Sequence, residues 1–315
     1  MTKFNNVLDI VYLHMVEVKK YKNETLSKYK KIKNELEQRE KTFNRLTAKE
    51  WAALSKNVWN DVSSTRKTWH LDHGATFPEK LINRLIRMYT KPEYLVLDPF
   101  LGTGTTLEAC KNTKRNGIGI ELNERFIPYA LNIINQKTLD ESLSLKVIND
   151  DCRNLLNYVQ RESVQLMVTS PPYANFIKKS IDDREKRHKT SLIKFENNST
   201  VNPYSDKQND FGNLDYPSFL KEIKELMKKL FVVTKKGGYN VWIVKDYRDT
   251  KNNIPYIPFH SDLAKIGEEV GFKYHDLIIW DQNSQRKLVL LGYPSVFYTN
   301  QNCSFIVVLR RPDGN

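Results

Sequence analysis

Cysteine is scarce in this chain. Its 315 residues hold three, Cys110, Cys152 and Cys303, far apart and odd in number. A disulfide framework is therefore excluded, and no zinc-binding spacing is present. Histidine is also rare, at six residues. His70 and His73 form an HxxH pair, but no third ligand stands at a useful spacing, so no metal is expected. Long apolar runs are missing too. Nothing approaches the roughly twenty residues that span a bilayer, and the N-terminus has no apolar stretch of the signal-peptide kind. A cytoplasmic protein is expected. Finally, acidic residues are in deficit, 37 against 50 Lys and Arg, for a net charge of +13 and a pI near 9.4. An anionic partner follows from that excess. Nucleic acid comes first, because the basic residues alternate with many aromatics. A merely soluble basic protein would carry the same charge.

A chain this long buries a sizeable core, and one large α/β domain with an appendage is the natural reading. The appendage is residues 1–69. Leu8, Val11, Tyr12, Met15 and Val18 recur at helical spacing, as do Leu26, Tyr29, Ile32 and Leu36, with Lys19, Lys20, Lys28 and Lys31 among them. One or two amphipathic basic helices are predicted. Their polar face lies along phosphates, or they pack on the main domain or on a second subunit.

Residues 70–315 read as strand, turn and helix in repetition. Apolar strands are predicted at 94–97, 117–120, 145–148, 164–168, 240–244, 275–280 and 304–309, with helices between several of them. The pattern predicts a doubly wound, mostly parallel, seven-stranded Rossmann-like sheet. Such sheets bind ligands beyond the carboxyl ends of their strands. The polar stretch at about 174–214 breaks the rhythm and is either a substrate-ordered lid or a plain insert. A second irregular segment, 285–301, is either a groove-contacting loop or a strand connection.

Two runs carry chemistry. The first is Asp98-Pro99-Phe100-Leu101-Gly102-Thr103-Gly104-Thr105-Thr106, directly after a predicted strand. Gly102 and Gly104 let the backbone turn tightly and leave room for a ligand. No Lys-Ser/Thr follows, so this is not a phosphate-binding Walker loop, and the third glycine of a dinucleotide fingerprint is missing. Asp98 places a carboxylate where a cationic amino group can pair, which suits the methionine end of S-adenosylmethionine better than a pyrophosphate. Glu121, ending the next strand, is positioned for ribose hydroxyls, and Asp151, ending the third, for an adenine amino group. Any one such acid is as readily a helix N-cap. Three at successive strand ends favour a nucleoside cofactor. The second run is Thr169-Ser170-Pro171-Pro172-Tyr173, after the fourth predicted strand.

Together these runs resemble the S-adenosylmethionine-dependent amino-methyltransferases of DNA. Phe77-Pro78-Glu79-Lys80-Leu81 resembles the segment that precedes the cofactor loop in that family, Gly119-Ile120-Glu121 its ribose-binding strand end, and Asp150-Asp151-Cys152-Arg153 its adenine-binding turn. The resemblance spans about residues 70–315. It implies cofactor contacts from Phe77, Pro78, Asp98, Pro99, Phe100, Gly102, Gly104, Thr105, Glu121, Asp151 and Cys152. It implies a catalytic set of Ser170, Pro171, Pro172 and Tyr173.

The expected chemistry follows from the amine. An exocyclic nitrogen is a poor nucleophile because its lone pair is delocalised into the ring. Acceptors at the Ser170 hydroxyl and the Pro171 carbonyl would draw it toward tetrahedral geometry, with proline stiffening the loop. Tyr173 would stack on a base flipped from the duplex. Within the family, Ser before Pro-Pro-Tyr goes mostly with N4 of cytosine, and Asp leans toward N6 of adenine. The expectation is therefore N4-cytosine methylation of double-stranded DNA within restriction–modification, in a prokaryotic or phage setting at the nucleoid. Cytosine C5 chemistry is excluded, since no cysteine stands in the required Pro-Cys setting. Alternatives are an N6-adenine enzyme, an RNA (transfer RNA) amino-methyltransferase and an inactive nucleic-acid-binding subunit. A cognate restriction endonuclease is an expected partner, and the N-terminal helices offer an interface for a homodimer.

One departure stands out. Many relatives with Ser-Pro-Pro-Tyr carry that motif ahead of the cofactor loop, with a target-recognition region between the two. Here the order is reversed, so base-specific contacts are expected from 174–214, from 285–301, from the N-terminal helices or from a partner.

Overall fold

The computed structural model describes residues 7–63, 77–135, 143–172, 210–249, 252–285 and 297–314. The chain forms two compact units, Met1–Ala52 and Ala53–Asn315. His70, His73 and Tyr173, most of the 174–214 insert and much of 285–301 lie outside the described residues.

In the first unit the two apolar periodicities merge into one helix, α1 (Val7–Glu40), about 50 Å long at 1.5 Å per residue. Leu26, Tyr29, Ile32 and Leu36 are exposed along it. Arg39 ends this helix by bonding Glu35 (3.1 Å), Glu50 (2.8 Å) and the Arg45 carbonyl (3.1 Å). A capping box opens α2 (Ala48–Leu54): the Thr47 N–H donates to Glu50 Oε2 at 2.8 Å, and the Glu50 N–H donates to Thr47 Oγ1 at 3.2 Å.

The second unit carries β1 (Val58–Trp59), α3 (Glu79–Tyr89), β2 (Leu95–Asp98), α4 (Thr105–Thr113), β3 (Asn116–Glu121), α5 (Ile127–Asn135), β4 (Leu145–Asn149) and β5 (Val164–Thr169). It continues with α6 (Tyr216–Val233), β6 (Thr234–Val244), β7 (Tyr247–Asp249), β8 (Ile254–Ile257), α7 (Phe259–Val270), β9 (Lys273–Asp281) and β10 (Cys303–Arg310). The main sheet runs β1-β9-β10-β6-β5-β2-β3-β4, and β7 and β8 form a separate antiparallel pair. Only β10 runs antiparallel to its neighbours in the main sheet.

The doubly wound, mostly parallel class expected from the sequence is the one observed. Among the described residues the main sheet has eight strands rather than seven, because Val58 and Trp59 pair with Ile279 and Trp280 at its edge. The second unit starts at Ala53. Trp59 and Val62 belong to its core, and the Val62 carbonyl accepts from the Trp280 indole at 3.1 Å. A two-residue strand leaves no periodicity for a sequence reading to detect.

The alternation along the strands divides the core in two. Leu97, Met167, Trp242, Val244 and Val307 face α6 and α7, meeting Phe219, Ile223, Leu226 and Leu263. Val96, Val168, Ile243 and Ile306 face the other way, onto Leu81, Ile82 and Leu85 of α3. All six residues of β5 are buried, Gln165 and Thr169 among them, as expected of a central strand covered on both faces. Both chemistry-bearing runs emerge at the carboxyl edge, on β2 and β5, which are neighbours in the sheet.

Candidate active site at the carboxyl edge

The first loop leaves β2 at Asp98 and closes on α4. Gly102 has φ +57° and Gly104, the N-cap of α4, has φ +98°. A Cβ on Gly104 would also lie 3.0 Å from Ala130 Cα and 3.1 Å from its Cβ, so glycine is required there on two counts. Leu101 folds back over β3, where its N–H donates to the Ile120 carbonyl at 2.9 Å. A Cβ on Gly119 would meet the Leu101 side chain at 2.5 Å, so the bare β3 backbone makes room for the loop.

Three acids surround this loop, and each is already engaged. Asp98 is buried. Its Oδ1 accepts from Thr169 Oγ1 (2.6 Å) and the Phe100 N–H (3.0 Å), and its Oδ2 accepts from Thr106 Oγ1 (2.5 Å). The carboxylate expected to meet a cationic amino group thus ties the first loop to the foot of the second. Burial pushes its pKa up, and the Thr106, Thr169 and Phe100 donors pull it back.

Glu121 accepts from the Gly102 N–H at Oε2 and from the Asn123 N–H at Oε1, both at 2.7 Å. Burial raises its carboxyl to about 7, against those two bonds, with the nearby charges of Asp98 and Asp210 adding to the rise. Each oxygen retains a further lone-pair site for a hydroxyl donor. Asp151 is the N-cap of the short 3₁₀ turn Cys152–Asn157. It accepts from the Arg153 N–H (2.9 Å) and pairs with Arg153 Nη1 (2.8 Å). Cys152 is buried, and its thiol is pushed well up, chiefly by that burial.

Of the other expected cofactor contacts, Phe100 lies on the loop, with its ring 5.2 Å from Phe211. Thr105 opens α4 and is buried. Phe77 packs edge-on to Trp280 at 6.3 Å, against the core beneath α3, and Pro78 is the N-cap of that helix. The second loop follows β5. Pro171 is buried and Ser170 and Pro172 are half-buried. The Ser170 hydroxyl makes no hydrogen bond among the described residues.

Sequence reasoning missed several members of the site. Thr169 and Thr106 share Asp98. Thr103, between the two glycines, is buried with a hydroxyl that has no partner among the described residues. The far end of the polar insert also docks here. Asp210 caps the turn Phe211–Asn213, and the Arg153 guanidinium lies 4.3 Å over the Phe211 ring while Nε donates to Glu222 at 2.6 Å. The Asp-x-x-Asn turn at 210–213 was visible as an N-cap signal, but its place beside Phe100 was not.

Residues 2–132 match the family model described as DNA methylase, a span that includes the whole Asp98–Thr106 loop. Over that span the chain is similar to the DNA methylases. Type II methyltransferase M.BglI of Bacillus subtilis is 42% identical over 85 residues, which is 27% of this chain and 24% of that protein. M.MthZI of Methanothermobacter thermautotrophicus is 38% identical over 101 residues, 30% of this chain and 28% of that one. The matches span about a quarter of the length of these curated relatives. Among solved structures, TrmN from Thermus thermophilus aligns with a TM-score of 0.42 at 13% identity, covering 78% of this chain and 52% of that one. Among the described residues, no helix is long and apolar enough to cross a membrane.

Proposed function

We propose that this chain transfers a methyl group from S-adenosylmethionine to the exocyclic N4 of cytosine in double-stranded DNA, as the modification enzyme of a type II system. The observation that carries the reading is the buried Asp98, one carboxylate bonded to Thr106 of the glycine loop and to Thr169 beside Ser170-Pro171-Pro172. A loop suited to a nucleoside cofactor and a loop suited to an amine are thereby held as one unit.

The residues present fit the cofactor. Gly102 and Gly104 offer bare backbone, Glu121 keeps lone pairs for ribose hydroxyls, and the buried Thr103 hydroxyl lacks a partner among the described residues. When bound, the cofactor supplies an electrophilic methyl group on a sulfonium. The rest falls to the protein. Ser170 Oγ and the Pro171 carbonyl accept from the amine, localising its lone pair, and their rigid placement makes the transfer chiefly a matter of positioning. Tyr173, next in the chain, is the face on which a flipped base stacks. Ser170 in place of an acid supports cytosine over adenine. The excess of basic residues suits the DNA backbone. A cognate endonuclease, a homodimer and a place in the cytoplasm at the nucleoid belong to the same proposal.

Nucleoside mass spectrometry on DNA from cells expressing the protein tests it. N4-methylcytosine is the expected product. N6-methyladenine would correct the base, and unmodified DNA beside modified RNA would overturn the DNA reading.

A further inference from the structure

An acid–imidazole pair at the same edge of the sheet is left unused by this chemistry. Asp246 lies two residues past β6, and its side chain is only 1% exposed. Its Oδ1 accepts from the His260 backbone N–H at 3.0 Å. His260 Nδ1 lies 2.8 Å from Oδ1 and 2.7 Å from Oδ2, and the Tyr256 hydroxyl donates to Oδ2 at 2.5 Å. A carboxylate accepts, so Nδ1 is the ring's donor to Asp246 and Nε2 is the nitrogen left to accept. Nε2 makes no hydrogen bond among the described residues, while the side chain stays 22% exposed. Stacking on Phe305, at 4.2 Å and 15°, fixes the plane of the ring.

The register of the sheet locates this ring. Thr169 pairs with Trp242, and Phe305 pairs with Val244. Pro171 follows the end of β5 by two residues and Val244 ends β6, so the second loop, Val244 and Phe305 lie at the same edge of the sheet, on β5, β6 and β10. β5 and β10 flank β6 two strand spacings apart, about 10 Å, so the second loop and the ring stacked on Phe305 stand within reach of one base. Anchoring the start of α7 requires only the bond from Asp246 to the His260 N–H. It requires neither an imidazole there nor three donors on one carboxylate.

We propose that His260, oriented by Asp246 and Tyr256, accepts the proton of the target amine. The inference rests on the methyl-transfer reading above. As the amine nitrogen bonds to the methyl carbon, the sulfonium–carbon bond breaks and its electron pair stays on sulfur. The nitrogen becomes cationic. One N–H electron pair then returns to nitrogen, and the proton passes to Nε2, directly or through one water, and on to solvent. Asp246 stabilises the resulting imidazolium. Among the described residues, the other titratable groups around the pair include Tyr256, pushed up to about 12 by burial and its bond to Asp246, Cys303 and Tyr216, both raised chiefly by burial, and Tyr247, Lys245, Arg248 and Asp262.

The test measures single-turnover transfer of radiolabelled methyl to unmodified genomic DNA by the full chain across pH. Wild type should slow on acidification. His260→Gln should lose on the order of 10²-fold in rate together with that pH dependence, at unchanged melting temperature and cofactor affinity. Carbethoxylation of His260 by diethylpyrocarbonate, read by peptide mass spectrometry, should slow when DNA is added. If His260→Gln melts early, Asp246→Asn carries the test, since its amide oxygen still accepts the His260 N–H. A wild-type protein that methylates no DNA overturns both readings. An active wild type whose folded variants stay within threefold, with the same pH profile, overturns this one alone.

Discussion

Replacing Thr169 with Val removes one O–H donor from the buried Asp98 carboxylate and leaves the shape of the side chain nearly intact. Asp98 Oδ1 then keeps only the Phe100 N–H, at 3.0 Å, and Oδ2 keeps Thr106 at 2.5 Å. A hydrogen bond to an ionised group is worth roughly 1.5–3 kcal/mol, and a buried acceptor left short of a donor loses toward the upper end of that range. For a unit of this size, about 2 kcal/mol lowers the melting temperature by roughly 4–8 °C. The pH dependence identifies the cause. Burial already holds the Asp98 pKa above its unfolded value, so its contribution to stability is fully present at low pH and is lost as pH rises through the folded pKa. Removing the Thr169 donor raises that folded pKa further. The deficit of the variant should therefore be small in acid, where Asp98 is protonated in both proteins, and should grow toward neutrality. Scanning calorimetry at several pH values reads both effects. The Thr106→Val variant and the double mutant complete a cycle, and a coupling of 0.5 kcal/mol or more is expected because both hydroxyls act on one carboxylate. A Thr169→Val protein melting within a degree of wild type at every pH would refute the clamp.

Two further outcomes follow from the same loop. Glu121 has its pKa raised to about 7, and ribose hydroxyls would donate to its ionised form, so cofactor affinity measured by calorimetry should increase as pH rises through 7 and flatten in Glu121→Gln; an unchanged slope in that variant would assign the effect elsewhere. Gly104→Ala places a Cβ at φ +98° against the Ala130 backbone and should destabilise by about 2 kcal/mol in urea denaturation, where a loss below 0.5 kcal/mol would mean that α4 and α5 shift apart without strain.

What the sequence discloses here depends on how locally each feature is encoded. β5 is buried along its length and the second half of β6 is too, so Val164, Leu166, Met167 and Val168, and likewise Val241 to Val244, marked strands without reference to any neighbour. The glycine loop was legible for a similar reason, since positive φ at 102 and 104 is a property of single positions. The features that make the site work as a unit are not local. Thr169 reaches Asp98 across 71 residues, and threonine at the end of a β-strand is too ordinary to be singled out. Phe211 closes on Phe100 from the far end of an insert whose composition suggested only polarity. Asp246 and His260, 14 residues apart, fall on either side of a small hairpin, and no periodicity connects a strand end to a helix start. A carboxylate already bonded within the protein also reads, in one dimension, like one awaiting a ligand. Asp98 and Asp151 were both placed at the cofactor by their position at strand ends, and in the folded chain Thr106, Thr169 and Arg153 also bond them. Position at the carboxyl edge thus selects which acids gather around a cofactor. Whether an acid touches the ligand or braces the loop that does is decided by the donors that tertiary packing brings to it.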